Sequence, residues 1–306
     1  MKEVLPETYK SLKIYLEQNH LKPRKKFGQN FLINKNILNK IISHATLEKK
    51  DVVLEIGPGL GHLSEHIIEK VSHFLCVEKD FDLAKILEKQ FGEYSQFQLL
   101  TMDVLETKNS INPILLKTLN EKVTDSYKII SNLPYNVSAP VIINFLEEPR
   151  PKLSVMVVTV QKEVAQRLVA KPGTKQYGPL SLYAQLRADI KCVGEISPHF
   201  FYPQPKIDST VVKMIPKPLI KNILDRQLFK KVVSSIFHKK RKTIFNNLRH
   251  APFLKIKESQ AEKVLMMTKI PLKQRGETLC LEEFIDLANN LYQILNIGAG
   301  CTSKKK

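Results

Sequence analysis

No stretch of this 306-residue sequence approaches the roughly 18 uninterrupted apolar residues that a membrane span requires. The first residues carry no apolar signal core either, since Leu12, Ile14, Tyr15 and Leu16 sit among Lys10, Lys13 and Glu17. Cysteine is scarce. Cys76, Cys192, Cys280 and Cys301 are scattered with no C-x-x-C pair, which argues against a zinc site and against a disulfide framework. Incidental thiols in a reducing compartment are the expectation. No internal repeat is present. Acidic residues are in deficit, 30 Asp and Glu against 48 Lys and Arg, leaving a formal charge of +18. That surplus exceeds what solubility needs and points to a polyanion, either nucleic acid or an acidic membrane surface. The chain is expected to be soluble, cytoplasmic, monomeric and free of metal and membrane partners.

The length exceeds the usual single domain, so one large domain and a smaller one are expected, and 43% hydrophobic residues suffice for a sizeable core. Residues 1–20 read as a short charged helix, followed by a basic, Pro-interrupted approach through Lys22, Arg24, Lys25 and Lys26 to Phe27. From about 51 to 216, β-rich runs alternate with helical patterns. Strands are expected at Val52–Ile56, Phe74–Glu78, Phe97–Leu100, Lys128–Ser131 and Ser154–Val160, with helices after Gly61, at Asp80–Gln90 and at Val141–Leu146. Such alternation produces a doubly wound, mostly parallel sheet. Runs at Ile190–Ile196 and Thr210–Ile215 suit a hairpin closing one edge. After Pro216 and Pro218 only helical periodicity remains, as in Phe229, Val232, Val233, Ile236 and later Phe284, Leu287, Leu291. The expected division is an extension (1–22), a catalytic α/β domain (23–217), a helical domain (218–297) and a disordered basic tail (298–306).

Open α/β sheets bind ligands at the carboxyl ends of their strands, and four successive ends here carry unusual residues. The first is Glu55-Ile56-Gly57-Pro58-Gly59-Leu60-Gly61, whose glycines let backbone approach a ligand. The second is Glu78, 21 positions after Gly57, placed to accept hydrogen bonds from ribose hydroxyls. The dinucleotide spacing G-x-G-x-x-G is absent, which disfavours a dehydrogenase. The G-x-G-x-G form suits S-adenosylmethionine, which has a ribose and an adenine but no phosphate. The third is Asp103, able to accept from an adenine amino group. Taken singly, each of these is equally well a turn or a cap residue. Their order is what carries the reading.

The fourth end is Ser131-Asn132-Leu133-Pro134-Tyr135. An aromatic amine is a poor nucleophile because its lone pair is delocalised into the ring. Acceptors for both amino hydrogens, the Asn132 side-chain oxygen and the Leu133 carbonyl, would favour a pyramidal nitrogen with its lone pair aimed at a sulfonium methyl. Pro134 has no N–H to compete and stiffens the turn. Tyr135 can stack on the base. The positive sulfur already activates the electrophile, so positioning and electrostatics suffice and no strong base is demanded.

These residues carry a resemblance. Phe27-Gly28-Gln29-Asn30-Phe31-Leu32, Glu55-Ile56-Gly57-Pro58-Gly59 and Asn132-Leu133-Pro134-Tyr135 resemble the small-subunit ribosomal RNA adenine dimethyltransferases of the KsgA type. So do Gln161-Lys162-Glu163-Val164, Tyr177-Gly178-Pro179-Leu180-Ser181 and Phe201 with Pro203-Gln204-Pro205-Lys206-Ile207-Asp208-Ser209. Lys240-Arg241-Lys242-Thr243 and Arg275-Gly276-Glu277-Thr278-Leu279 extend the likeness over roughly 24–294. The resemblance implies a Rossmann-like S-adenosylmethionine-dependent methyltransferase domain with a small all-helical C-terminal domain. It implies that Asn30, Leu32 and Gly57 line the cofactor pocket, with Glu78 on the ribose, Asp103 on the adenine moiety and Asn132 beside both cofactor and target amine. Tyr135 and Phe201 would sandwich the target base. The implied reaction is dimethylation of two adjacent adenosines near the 3′ end of small-subunit RNA, with the immature small subunit as partner. The extension before Lys22 and an expanded loop at Glu106–Ser126 depart from the family pattern.

Between Lys221 and His250 lie nine Lys or Arg and one acid, Asp225. The apolar residues keep helical spacing, so the charges are expected on an exposed helical face against RNA phosphate, with Lys239, Lys240, Arg241 and Lys242 foremost. Phe237 and Phe245 read as core. The competing functions are an adenine methyltransferase of large-subunit RNA or of DNA, since DNA enzymes that flip adenine use a similar tetrapeptide, and a non-catalytic assembly factor of the same fold. Tyr177–Ser181 and Arg275–Leu279 favour the small-subunit branch, and the intact Asn132 and glycine turn favour catalysis.

Overall fold

The computed structural model describes residues 5–300 and divides into two compact units, Met1–Val169 with Arg187–Lys217 and Ala170–Leu186 with Pro218–Lys306. The first unit begins with α1 (Tyr9–Gln18) and α2 (Lys35–Ser43). It continues as β1 (Val52–Ile56), α3 (His62–Ile67), β2 (His73–Glu78), α4 (Phe81–Phe91), β3 (Phe97–Thr101), α5 (Pro113–Lys122), β4 (Ser126–Asn132), α6 (Ser138–Glu147), β5 (Lys152–Gln161) and α7 (Lys162–Leu168). It ends with β6 (Ala188–Ile196) and β7 (Ser209–Pro216). The seven strands form one sheet in the order β3-β2-β1-β4-β5-β7-β6. β1 to β5 are parallel, and β7 runs antiparallel to both β5 and β6, so the expected edge hairpin is present.

Every residue of β1 is buried, as parallel strands covered on both faces require. Val53, Phe74, Cys76, Ile130, Val157 and Val211 from five strands pack with Ile41 of α2, Leu63 and Ile67 of α3 and Leu87 and Phe91 of α4. Each such fully buried side chain contributes roughly 1.5–3 kcal/mol. From β1 the chain winds outward through β2 to β3, then returns to β4 on the other side of β1. The strand order reverses between β1 and β4, which is where an open sheet leaves a crevice at its carboxyl edge.

Two expectations for this unit need correction. The 106–126 segment is no plain loop. Leu105–Thr107 pairs with Ser110–Ile111, and then Asn112 caps α5, which has Pro113 in its first turn and Leu115 and Leu119 fully buried. The extension is no separate segment either. Leu5, Leu12, Tyr15 and Leu16 pack on Phe31, Leu60 and Leu83, and the buried His62 ring shares a hydrogen bond of 2.9 Å with the Pro6 carbonyl.

The second unit holds α8 (Pro179–Arg187, its last residue in the first unit), α9 (Arg226–Ile236), α10 (Ile244–His250), α11 (Glu258–Met267) and α12 (Leu281–Gly300). Asp225 caps α9 by accepting from the Gln227 and Leu228 N–H groups. Phe229, Val232, Val233 and Ile236 bury one face of α9. The 170–186 segment, expected in the first unit, belongs here because Tyr177, Leu182 and Leu186 join the core of α9, α10, α11 and α12, and the Tyr177 hydroxyl donates to the Leu279 carbonyl at 2.9 Å. Phe237 stacks on Phe284 with centroids 5.7 Å apart. Of the tail, residues 301–306 lie outside the described residues, and α12 runs to Gly300. Among the described residues no helix is long and apolar enough to cross a membrane.

Candidate active site

A pocket opens at the carboxyl edge of β1, β2 and β4, and nine of the ten residues singled out for cofactor and base line it: Asn30, Leu32, Gly57, Glu78, Asp103, Asn132, Leu133, Pro134 and Tyr135. The glycine turn sits directly under the tetrapeptide. Gly57 has φ +68°, and a Cβ there would stand 3.0 Å from Pro134 Cγ. Its N–H donates to the Val77 carbonyl at 2.8 Å, which fixes the turn to β2. Gly28, with φ +66°, lies equally close to the Asn136 side chain, where a Cβ would come within 2.9 Å of Oδ1. The Phe27–Leu32 motif is therefore seated against the loop that follows β4.

Glu78 ends β2 almost fully buried, with its carboxylate accepting from the Asp80 N–H at 2.8 Å and the Gly59 N–H at 3.2 Å. Burial pushes its carboxyl up to about 7, against the pull of those two N–H bonds. Asp103 is more open. Lys79 Nζ lies 2.6 Å from its Oδ2, and its Oδ1 accepts from the Leu105 N–H at 3.1 Å.

The Asn132 amide is oriented by its surroundings. Nδ2 donates to the Asn30 carbonyl at 2.9 Å, which turns Oδ1 the other way. That Oδ1 is buried and has no hydrogen-bond partner among the described residues. A buried acceptor without a donor costs about 1–3 kcal/mol, and because Asn132 also lines the pocket, its Oδ1 is placed to receive a donor there. The Tyr135 hydroxyl is anchored on Ser209 Oγ at 2.6 Å, and burial raises its pKa.

Phe201 does not line the pocket. It is fully buried in the core of the first unit, and its ring meets Tyr135 edge-on, with centroids 6.5 Å apart and planes at 67°. Two parallel faces for a base to enter are not present in this arrangement. The cause is local pairing. Phe31–Leu32 and Phe201–Tyr202 form a two-stranded antiparallel ribbon with Leu32 opposite Phe201, which draws the phenyl ring inward. The Lys239–Lys242 run also sits differently from expectation. It is a turn between α9 and α10 rather than a helical face, and its four side chains are all exposed.

Two residues of the quoted motifs take on a structural role only in the folded chain. Gln29 donates to Asp80 Oδ2 at 2.8 Å and accepts from the Arg24 N–H, while the Arg24 guanidinium reaches Asp80 and Asp82 at 2.6 Å each. This network ties the Phe27–Leu32 motif to the start of α4. Glu55, one strand residue before the turn, is wholly buried, and burial raises its carboxyl to about 8 although Ser64 Oγ donates to it at 2.7 Å. Both stand within the quoted motifs, Glu55 as the acid of an otherwise apolar strand and Gln29 as one position of Phe27–Leu32, but the sequence assigned neither a role.

Comparison with known proteins places this geometry. The family model described as ribosomal RNA adenine dimethylase matches residues 20–287. The chain belongs to this family. It is accordingly a methyltransferase, with the Rossmann-like fold of S-adenosylmethionine-dependent enzymes and a helical C-terminal region. Within the ribosomal RNA adenine dimethylases it is similar to the ribosomal RNA small subunit methyltransferase A of Alkaliphilus oremlandii, 39% identical over 92% of this chain and 96% of the relative. The protein of the same description from Clostridium botulinum (strain Kyoto) is 37% identical over 89% of this chain and 94% of the relative. Among solved structures, a dimethyladenosine transferase from Plasmodium falciparum superposes with a TM-score of 0.68 at 25% identity, covering 85% of this chain and 96% of the other. The 23S rRNA methyltransferase ErmE shares the fold, with a TM-score of 0.58 at 20% identity over 86% of this chain and all of the other.

Proposed function

We propose that this ribosomal RNA adenine dimethylase methylates the exocyclic amines of two adjacent adenosines near the 3′ end of small-subunit RNA, on the maturing small subunit, using S-adenosylmethionine. The observation that carries the reaction centre is the partnerless, buried Oδ1 of Asn132 facing a pocket. The small-subunit substrate is supported by relatives named for it that match along nearly their whole length.

The pocket residues fit the cofactor. The glycine turn leaves the backbone at Gly57 bare, Glu78 offers a carboxylate to a ribose diol, Asp103 a carboxylate to an amino group, and Asn30 and Leu32 form the wall. When bound, the cofactor supplies an electrophilic methyl group on a positive sulfur. The chain itself holds the nucleophile. Asn132 Oδ1 and the Leu133 carbonyl each accept one amino hydrogen, which localises the nitrogen lone pair away from them. Asn30 keeps the amide from flipping, so no reorganisation accompanies reaction. Tyr135, pinned through Ser209, presents a face to the base, while Phe201 would have to leave the core to present a second one. The exposed Lys239–Lys242 turn meets RNA phosphates. Mass-spectrometric mapping of adenine methylation, on small-subunit RNA from cells lacking the protein and incubated with purified enzyme, tests the assignment. Two neighbouring dimethyladenines near the 3′ end are expected. Methylation confined to large-subunit RNA would refute it.

A further inference from the structure

Beside the Lys239–Lys242 turn the second unit carries an open cleft of about 210 Å³, lined by His238, Lys239, Lys242, Asn246, Asn247 and His250, of which only Asn247 is buried. Every one of these side chains can donate a hydrogen bond, and no carboxylate is among them. Asp225, the one acid of the 221–250 stretch, is engaged in capping α9.

The site is built rather than incidental. Asn247 is buried and donates from Nδ2 to the Ile236 carbonyl at 2.7 Å and to the Lys239 carbonyl at 3.1 Å, which clamps the turn to α10. The Lys242 N–H donates to the Lys239 carbonyl at 2.9 Å, so both lysines leave one tight turn. The following residues rest on the Arg275–Leu279 motif, to which the adenine site gives no role. Thr243 bridges Arg275 antiparallel, and the Ile244 N–H donates to the Gln274 carbonyl at 2.8 Å. Gly276 presses on the end of α9 so closely that a Cβ would lie 2.2 Å from Ile236 Cγ2. His238 is held edge-on against Phe253, with ring centroids 5.6 Å apart.

We propose that this cleft binds one phosphodiester group of the substrate RNA, with Lys239 and Lys242 as counter-charges and with His238, His250 and the second Nδ2 hydrogen of Asn246, whose first goes to Thr243 Oγ1 at 3.1 Å, as additional donors. The proposal rests on the Lys239–Lys242 turn facing RNA and adds a defined receptor to it. The two ideas have different physical signatures. Cations on an open surface bind by releasing counterions, so each sets part of the salt slope of affinity. An uncharged donor in a pocket releases none, and its contribution survives at high salt.

Two measurements on the full chain test this. Inorganic phosphate is titrated while the ring signals of the histidines are followed by NMR, with His238→Gln and His250→Gln used for assignment. Saturable shifts confined to those two rings are expected. RNA affinity is then measured against salt with an oligonucleotide of the small-subunit 3′ end. Asn246→Ala and His250→Ala, at positions that carry no core packing, should each lower affinity about three- to tenfold, and Asn246→Ala, which removes no charge, should do so at every salt concentration with the slope unchanged. Lys239→Gln should flatten the slope by roughly one unit. Absence of phosphate-dependent shifts overturns the pocket, as do shifts without loss of RNA affinity in the Asn246 and His250 variants. In either case a flattened slope in Lys239→Gln leaves the RNA-facing turn standing. An unaltered slope there removes both.

Discussion

Replacing Asn132 by alanine removes two interactions whose consequences separate. The first is the 2.9 Å bond from Nδ2 to the Asn30 carbonyl. It is partly buried, so its loss should lower stability by about 1 kcal/mol, and the melting transition should shift by only a few degrees. The second is the Oδ1 acceptor, which has no partner among the described residues and therefore none to lose until an amine arrives. Preorganised groups of this kind act at the reacting centre, and removal of one costs about 10²–10³ in rate. The Asn132→Ala enzyme should thus keep most of its cofactor and RNA affinity while the methyl-transfer step falls about a hundredfold. The two transfers should respond unequally. An unmodified amine has two hydrogens for Oδ1 and the Leu133 carbonyl, whereas a monomethylated amine has one, which the Leu133 carbonyl can still take. The second transfer should be slowed less than the first, so less monomethyladenine should accumulate than in the parent. Asn132→Asp sharpens the test, because it keeps an acceptor but sets a carboxylate oxygen against the Asn30 carbonyl. Single-turnover reactions with mono- and dimethyladenine resolved by mass spectrometry read all of this. Parental rates in Asn132→Ala would refute the mechanism, and a rate loss that merely tracks lost cofactor affinity would move Asn132 out of the amine site.

Burial raises the Glu78 carboxyl to about 7, and its ionised form accepts both hydroxyl hydrogens of a ribose. Calorimetric S-adenosylmethionine affinity should therefore rise with pH up to about 7 and then level, with Glu78→Gln flattening the profile; a parental profile in that variant would contradict the role. For stability the sign is opposite. Glu55 and Glu78 have folded pKa values raised above the unfolded carboxylate range, to about 8 and about 7. The folded chain then holds more protons, and stability is lost as pH climbs from about 4.5 to 8, at up to about 1.4 kcal/mol per pH unit for each extra proton. Glu55→Gln should raise the melting temperature at pH 8 and not at pH 4.5, so an equal shift at both would rule this out. Gly57→Ala forces a side chain into a left-handed conformation against Pro134 and should destabilise by about 1–2 kcal/mol, with cofactor affinity falling alongside, which differential scanning calorimetry and titration calorimetry would check. Phe201→Ala empties a fully buried position and should cost about 3–5 kcal/mol of stability, measured by urea denaturation; a loss under 1 kcal/mol would mean that Phe201 spends its time outside the core. Substituting Gln for all four of Lys239, Lys240, Arg241 and Lys242 should flatten the salt dependence of RNA binding by roughly one log–log unit per lost contact, and an unchanged slope would return the turn to bare surface.

The parallel strands were legible because burial on both faces writes them as apolar runs, and the site residues because a strand end is one position wide. Val52–Ile56 and the acid at its fourth place show both at once. Pairings of two residues are another matter. Nothing in Phe31–Leu32 names Phe201–Tyr202 as its partner, and that pairing decides whether Phe201 faces a ligand or the core. The 239–242 turn was hidden by helical spacing on both sides, from Val232 to Phe237 and from Ile244 to Leu248, which periodicity joins into one helix. The placement of 170–186 was equally out of reach, because its few apolar residues reveal nothing about which core they enter. The direction of the Asn132 amide depends on one carbonyl a hundred residues away, so the residue was readable and its poise was not.

The short ribbon has a consequence for synthesis on the ribosome. Its two halves lie about 170 positions apart, and Leu32 finds Phe201 only after the entire parallel sheet has been made. Until then the Tyr135 hydroxyl also lacks its anchor, because Ser209 follows the last parallel strand. The segment 170–186 waits longer still, since the helices that cover it follow Pro218. A nascent chain stopped within the sheet would thus carry the whole pocket lining, from Lys26 to Val137, but with Tyr135 not yet pinned by Ser209 and the helical unit still to come, and methylating competence should be among the last properties the growing polypeptide acquires.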